Sequence, residues 1–205
     1  MAGLARALFW RRLDTAGAEQ AMVSDGVGLR AKGTMVAATP VPYTCRYEFY
    51  TDESWATVRC EVSTEGAGFL RSVRLERAAG RWRVTATEQG NLDAALRANG
   101  HTRADQPGCE EPGKLFAALD VVIGGSALSP TLPIRRLRLL GGGGGNHTVD
   151  VAWVLVPSLE VLDDTWTYRL LEDGRVRVTG KSTAVELEVD EHGYVHHYPG
   201  LADLA

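Results

Sequence analysis

Apolar and polar residues alternate along much of the chain, which is typical of β-strands with one buried and one solvent-facing side. In the first half, the alternation predicts strands at residues 8–13, 27–38, 43–50, 56–62, 73–76 and 82–86. Ala78, Ala79 and Gly80 supply a tight turn before the last of these runs. Together the segments predict an antiparallel meander with one wet face.

The second half of the chain repeats this pattern. It predicts strands at residues 119–123, 159–171, 176–178, 185–189 and 194–198. Between the halves, residues 91–98 could form about two helical turns, and residues 101–113 are expected to form a surface excursion. The sequence therefore predicts an all-β fold with little helix, in a single domain of residues 1–205 with approximate halves 1–100 and 114–201.

The stretch from Pro133 to Pro157 has the pattern of one long β-hairpin. Leucines alternate with arginines in its first arm, and apolar residues alternate with polar ones in its second. The glycine run Gly141–Gly145 cannot pack and is predicted to form the connecting loop. The first arm would place three arginines on a short strand: Arg135, Arg136 and Arg138.

Arginine within apolar strands needs a carboxylate, water or a bound anion to satisfy its guanidinium group. The unusual cluster consists of Arg11, Arg12, Arg135, Arg136 and Arg138. Asp14 and Asp120 are candidate internal partners. Two interpretations stay open: an internal salt-bridge network, or a mouth that binds an anion.

Composition narrows the classes of partner and compartment. The formal net charge of -4 argues against a general nucleic-acid or anionic-membrane binder. The N-terminal residues lack the apolar core of a signal peptide, and no run approaches the roughly 18 apolar residues of a membrane span. We therefore expect a cytoplasmic protein with no integral membrane association and no nucleic-acid partner.

The reactive residue types fit no catalytic or metal-binding motif. The 3 cysteines have no C-x-x-C spacing, and Cys45 and Cys60 are expected to be buried structural thiols. His196 and His197 alternate along a predicted strand and cannot both bind one metal by simple strand geometry. No catalytic residues, metal or cofactor are predicted.

Several segments together resemble a bacterial family described as "putative glycolipid-binding". They are W-R-R-L-D at 10–14, L-D-V at 119–121, T-L-P-I-R-R-L at 131–137, V-A-W-V-L-V-P at 151–157 and V-D-E-H-G-Y-V-H-H-Y-P-G-L at 189–201. The resemblance implies a long antiparallel sheet curled into a half-barrel or open barrel, similar to bacterial lipoprotein carriers. It also implies a non-enzymatic protein that binds a glycolipid or another amphiphile.

A curled sheet encloses space, so the ligand is expected on its concave face, with the acyl part on apolar side chains and the polar head near the arginines. The predicted ligand-binding residues are Trp10, Arg12, Arg135, Arg136, Tyr194, His196 and Tyr198. Each aromatic residue also fits plain core packing. Two rival functions remain: a hydrolase or lyase that uses Asp14, Asp120 and His196, and a structural protein-interaction domain with a filled core.

Overall fold

The structure, a computed structural model, describes residues 5–142, 145–181 and 184–205. The strands within these ranges are β1 Arg6–Arg12, β2 Gly17–Ser24, β3 Arg30–Ala37, β4 Tyr43–Thr51, β5 Thr57–Gly66, β6 Phe69–Ala78, β7 Arg81–Gly90, β8 Asp120–Ile123, β9 His147–Val154, β10 Val161–Leu170, β11 Val176–Thr179, β12 Ala184–Val189, β13 Val195–Tyr198 and β14 Ala202–Leu204. The helices are α1 Leu92–Ala98, α2 Thr131–Arg136 and the short 3-10 helices Pro112–Ala117 and Leu139–Gly141.

All these strands join one curled sheet in the order β7-β6-β5-β4-β3-β2-β1-β14-β13-β12-β11-β10-β9-β8. Neighbouring strands are antiparallel except β8 and β9, which are parallel. The first strand pairs with the last, with Trp10 opposite Leu204, so two meanders meet at the centre of the sheet. The predicted mainly antiparallel, open curled fold is confirmed, while the approximate duplication and the division into halves remain predictions.

The inner face of the first meander is covered by residues from the second half. Leu115, Leu128 and Leu132 have no exposed surface and pack in the same apolar cluster as the inner residues of β1 to β6. Backbone bonds fasten this cover, because Thr57 donates its N–H to the carbonyl of Leu119 at 2.8 Å. The concave side of these strands is therefore filled with packed side chains.

The predicted hairpin over Pro133–Pro157 is wrong in its first arm. Residues Thr131–Arg136 form α2 instead of a strand, and only the second arm is extended, as β9. An alternation over so few positions does not separate a strand from one or two helical turns, and proline is tolerated in the first turn of a helix. Gly143 and Gly144 of the predicted loop lie outside the described residues.

The predicted strand over residues 27–38 begins too early, and the strand before it was not predicted. β2 carries Glu19 and Ala21 at its inner positions. An acidic residue and a small residue at these positions weaken the alternation of apolar and polar residues, so the strand was missed. Gly28 has a φ of 65°, a conformation that favours glycine, so the chain turns there before β3 begins. The short helix predicted over residues 91–98 is confirmed as α1, with the Asn91 side chain accepting a hydrogen bond from the N–H of Ala94.

Candidate functional site

The outer face of strands β2 to β6 carries a groove of about 610 Å³. Strand register places its side chains in two adjacent rows. The hydroxyl row consists of Gln20, Thr34, Arg46, Ser63 and Ser72, and the ion-pair row consists of Met22, Lys32, Glu48, Glu61 and Arg74. Because neighbouring strands lie about 4.8 Å apart, each row is about 19 Å long.

In the ion-pair row, basic side chains contact carboxylates on neighbouring strands. Lys32 Nζ lies 2.8 Å from a carboxylate oxygen of Glu48, and Arg74 Nε lies 3.4 Å from Glu61. The hydrogen bond from Lys32 lowers the pKa of Glu48, so this carboxylate stays ionised at neutral pH. The two basic and two acidic side chains of the row therefore leave it with no net charge.

The hydroxyl row offers donors and acceptors to a ligand. Ser72 and Thr87 share a hydrogen bond of 2.7 Å. Among the described residues, the side chains of Gln20, Thr34 and Ser63 have no hydrogen-bonding partner. Each hydroxyl can both donate and accept, and the amide does the same with separate atoms, which suits a ligand rich in hydroxyl groups.

One end of the groove is apolar. Phe9 on β1 lies directly opposite Gln20, and its residue surface is 49% exposed. Met22, the β2 member of the ion-pair row, is 58% exposed. Since cross-strand diagonal neighbours lie within reach of long side chains, Phe9 and Met22 form a small apolar margin beside the polar rows. The outer face is therefore amphiphilic across the strands, with its apolar part at β1 and β2 and its polar part toward β6.

The floor of the groove is held from the inside by a buried carboxylate. A Cβ on Gly33 would lie 2.0 Å from the ring of Tyr47, so the missing side chain lets that ring pass beneath β3. The Tyr47 hydroxyl then donates a hydrogen bond to Glu19, which also accepts from the Ser126 hydroxyl at 2.6 Å and the Ala127 N–H at 2.5 Å. Burial raises the pKa of Glu19 despite these donors. The network ties the grooved strands to the second half of the chain.

Two of the predicted ligand-binding arginines are occupied by internal carboxylates. Arg12 donates two hydrogen bonds to Asp14, at 2.7 and 2.5 Å. Arg136 binds both oxygens of Asp120, with the shortest contact at 2.6 Å. The expected partners Asp14 and Asp120 are therefore confirmed, and a ligand role for either arginine remains a prediction.

Arg135 and Tyr194 are brought together at a junction of α2 with loops of the sheet. The Arg135 guanidinium stacks 4.3 Å from the ring centroid of Trp55 and donates to the carbonyl of His192 at 2.8 Å. The Tyr194 hydroxyl donates to Asp25 at 3.1 Å, and the same Asp25 oxygen lies 3.9 Å from Arg135. This contact set links α2 to the loops that follow β2 and β4 and to the turn before β13, and binding of a ligand there stays a prediction.

The remaining predicted residues lie in different surroundings. Trp10 has no exposed surface, and its indole donates to the carbonyl of Val195 at 2.7 Å. His196 is exposed, whereas Tyr198 is half-buried beside the second apolar cluster, which is built around Tyr168 and neighbouring strands. The seven predicted residues therefore do not line one recess.

The residues named for the alternative enzymatic function are not brought together either, as far as the described residues show. Asp120 is fully buried, and its pKa is raised by burial while the hydrogen bonds from Arg136 oppose that shift. Asp14 and Asp120 bind different arginines, and neither bonds to His196 in the described part of the chain. Within that same part, no three His, Cys, Asp or Glu side chains are placed to hold a metal. Cys45 and Cys60 are buried free thiols, as predicted, and burial raises the pKa of both.

Arg71 is a structural residue that the sequence interpretation missed. It is 1% exposed, and its guanidinium binds Glu88 at 2.9 Å, the carbonyl of Asp105 at 2.7 Å and the carbonyl of Ser158 at 3.0 Å. Arg71 thus fastens the excursion over residues 101–113 to β6. The sequence position of Arg71 could have indicated its burial. It lies two residues before Val73 and therefore falls among the inward-facing, apolar positions of the strand.

The fold and the groove define a class: a curled-sheet protein with a packed inner face and an amphiphilic outer groove. In the residues that the structure describes, no helix has the length and apolarity needed to cross a membrane. The sequence profile of the family described as "Putative glycolipid-binding" matches residues 7–203, so the chain belongs to this family.

The fold is also similar to a solved structure. This is the crystal structure of a DUF1089 family protein from Pseudomonas aeruginosa, with a TM-score of 0.67 and 21% sequence identity over 90% of this chain and 91% of that chain. At this identity the likeness concerns the fold alone. No curated protein matches the sequence.

Proposed function

We propose that the protein is a non-enzymatic binder of a glycolipid or a similar amphiphile, and that the outer groove on β2 to β6 is its binding site. The observation that carries the proposal is the juxtaposition of a hydroxyl row, an ion-pair row and an apolar margin on one face. The family description supports the ligand class. The packed inner face favours this groove over the concave side, where the sequence interpretation placed the ligand.

The two parts of an amphiphilic ligand would contact different parts of the groove. Hydroxyl groups of a sugar head would bond to Thr34, Ser63 and their neighbours, while the alkyl chain would lie against Phe9 and Met22. Each methylene removed from water contributes about 0.8 kcal/mol. Because the apolar margin is small and exposed, only the first part of a long chain would be covered, and the affinity expected for a short alkyl glycoside is modest.

The test is a titration of the isotope-labelled protein with octyl β-glucoside below its micelle concentration, followed by NMR. Amide shifts should concentrate on β2 to β6. Thr34→Val combined with Ser63→Ala should weaken binding about 10-fold, since each neutral hydrogen bond contributes roughly 0.5–1.5 kcal/mol. Thr179→Val, which changes an exposed threonine on β11, is the matched control and should leave the affinity unchanged. Shifts confined to other strands would refute the assignment of the site.

The packed inner face favours one second candidate, a protein-interaction domain. β7 is a ten-residue edge strand whose outer backbone groups could accept a partner strand. The same titration separates the candidates, because an interaction domain should show no saturable response to the glucoside.

A further inference from the structure

The cations that line the groove are paired directly with carboxylates. They are Lys32, which contacts Glu48, Arg46, which contacts Glu65, and Arg74, which contacts Glu61 and Glu76. The next row outward carries Arg59, which contacts Glu61, and the exposed Arg30 and Arg83, which form no ion pair in the described part of the chain. Among the described residues, the lining of the groove itself therefore has no unpaired cation that could receive an anionic head group.

Two carboxylates also face each other at the centre of the ion-pair row. Glu48 on β4 is directly opposite Glu61 on β5. Side chains so placed have Cβ atoms about 5 Å apart, and like charges in this position repel one another and any further anion. A neutral hydroxyl group meets no such repulsion, because it can donate to a carboxylate and accept from the neighbouring Lys32 or Arg74.

We propose that the groove selects amphiphiles with an uncharged polyhydroxyl head and rejects those with a phosphate or sulfate head. This inference rests on the proposed function and adds to it the requirement that the head group of the ligand is uncharged. The selectivity comes from the paired cations and from the opposed Glu48 and Glu61. The arginines named in the sequence interpretation do not alter it, because Arg12, Arg135 and Arg136 are engaged elsewhere.

The experiment compares octyl β-glucoside with octyl phosphate, which has the same alkyl chain and an anionic head. NMR titration of the wild-type protein should give at least about 10-fold tighter binding of the glucoside, because one like-charge contact in a partly wet groove is worth that much. Raising the salt concentration should leave glucoside binding unchanged, since no net charge is neutralised.

The double variant Glu48→Gln, Glu61→Gln removes the opposed charges and leaves Lys32 and Arg59 without their carboxylates, while Arg74 keeps Glu76. It should bind octyl phosphate at least about 10-fold more tightly than the wild type does, and salt should weaken that binding. Glu172→Gln, at an exposed turn, removes a carboxylate far from the groove and should leave both affinities as in the wild type. If the double variant does not fold, as judged from its amide spectrum, Glu61→Gln alone should show the same change at smaller size.

The outcomes separate the two proposals. Equal or tighter binding of octyl phosphate by the wild type at β2 to β6 overturns the charge selectivity and leaves the proposed function standing. A folded variant that gains no affinity for octyl phosphate also overturns it. A response to neither ligand on these strands refutes the proposed function and the inference together.

Discussion

Replacing Arg71 tests whether one buried side chain holds the excursion over residues 101–113 against the sheet. Arg71→Met keeps an unbranched apolar stem in the same space and removes all the guanidinium hydrogen bonds. The carbonyls of Asp105 and Ser158 then lose a charged donor, and Glu88 loses its partner. The change is local, because the substitution leaves the pairing of β6 with its neighbouring strands in place.

The expected cost follows from these contacts. A hydrogen bond from a charged donor contributes about 1.5 kcal/mol at the low end of its range, and two carbonyls lose such a donor. The Glu88 side chain is 26% exposed and can regain water, so breaking its ion pair adds little. The sum is a loss of about 3 kcal/mol in the free energy of unfolding, or a fall in Tm of roughly 6–12 °C for a chain of this size.

Urea denaturation followed by tryptophan fluorescence measures this loss, and Arg83→Met on the exposed side of β7 is the control that should show no change. Hydrogen exchange supplies a local readout, because the amides of Gly108 and Val161 bond across the excursion and should exchange faster in Arg71→Met. A variant as stable as the control, with both amides still protected, would refute the reasoning.

Three further predictions concern the polar network and the junction. Burial raises the pKa of Glu19 above its ordinary value of 4.5, so the folded state holds the proton more tightly and Glu19 reduces stability as pH rises from 4.5 toward the folded-state pKa. Glu19→Gln should therefore gain stability relative to the wild type across this window in urea denaturation, and parallel pH profiles would contradict the prediction. Gly33→Ala should lower the free energy of unfolding by about 2–4 kcal/mol, because a Cβ there displaces the Tyr47 ring from Glu19, whereas the open position Gly113→Ala should change little. Arg135→Ala should lower it by about 1–3 kcal/mol through the lost stacking and hydrogen bond, with octyl glucoside affinity unchanged, and weaker glucoside binding would instead support the ligand role first predicted for Arg135.

Much of the fold could be predicted from local alternation. β4 and β5 follow runs in which every second residue is apolar, whereas β6 and β7 were indicated by the shorter runs 73–76 and 82–86 and by the short turn at Ala78-Ala79-Gly80 between them. The segment around α2 could not be assigned, because its buried residues are decided by contact with the inner face of distant strands. Glu19 shows the same effect in β2, since its donors come from elements far along the chain.

The groove was beyond prediction from the sequence alone. Its rows depend on the register of five strands, and a slip of one residue would turn a strand's outer set inward. Thr34, Ser63 and Ser72 are ordinary outward residues until that register aligns them. Among the predicted ligand residues, Arg12 and Arg136 do contact the candidate partners Asp14 and Asp120, whereas Arg135 contacts Asp25 and the carbonyl of His192, which no local pattern indicated.

The pairing of β1 with β14 gives the protein a particular order of assembly during synthesis. Trp10 meets Leu204 across the centre of the sheet, so one side of β1 stays unpaired until β14 has been synthesised. Contacts of such sequence separation are slow to form because a very long loop must close first. The growing chain therefore carries an exposed strand edge on β1, and protection of that edge by a chaperone would matter throughout the interval before β14 pairs with it.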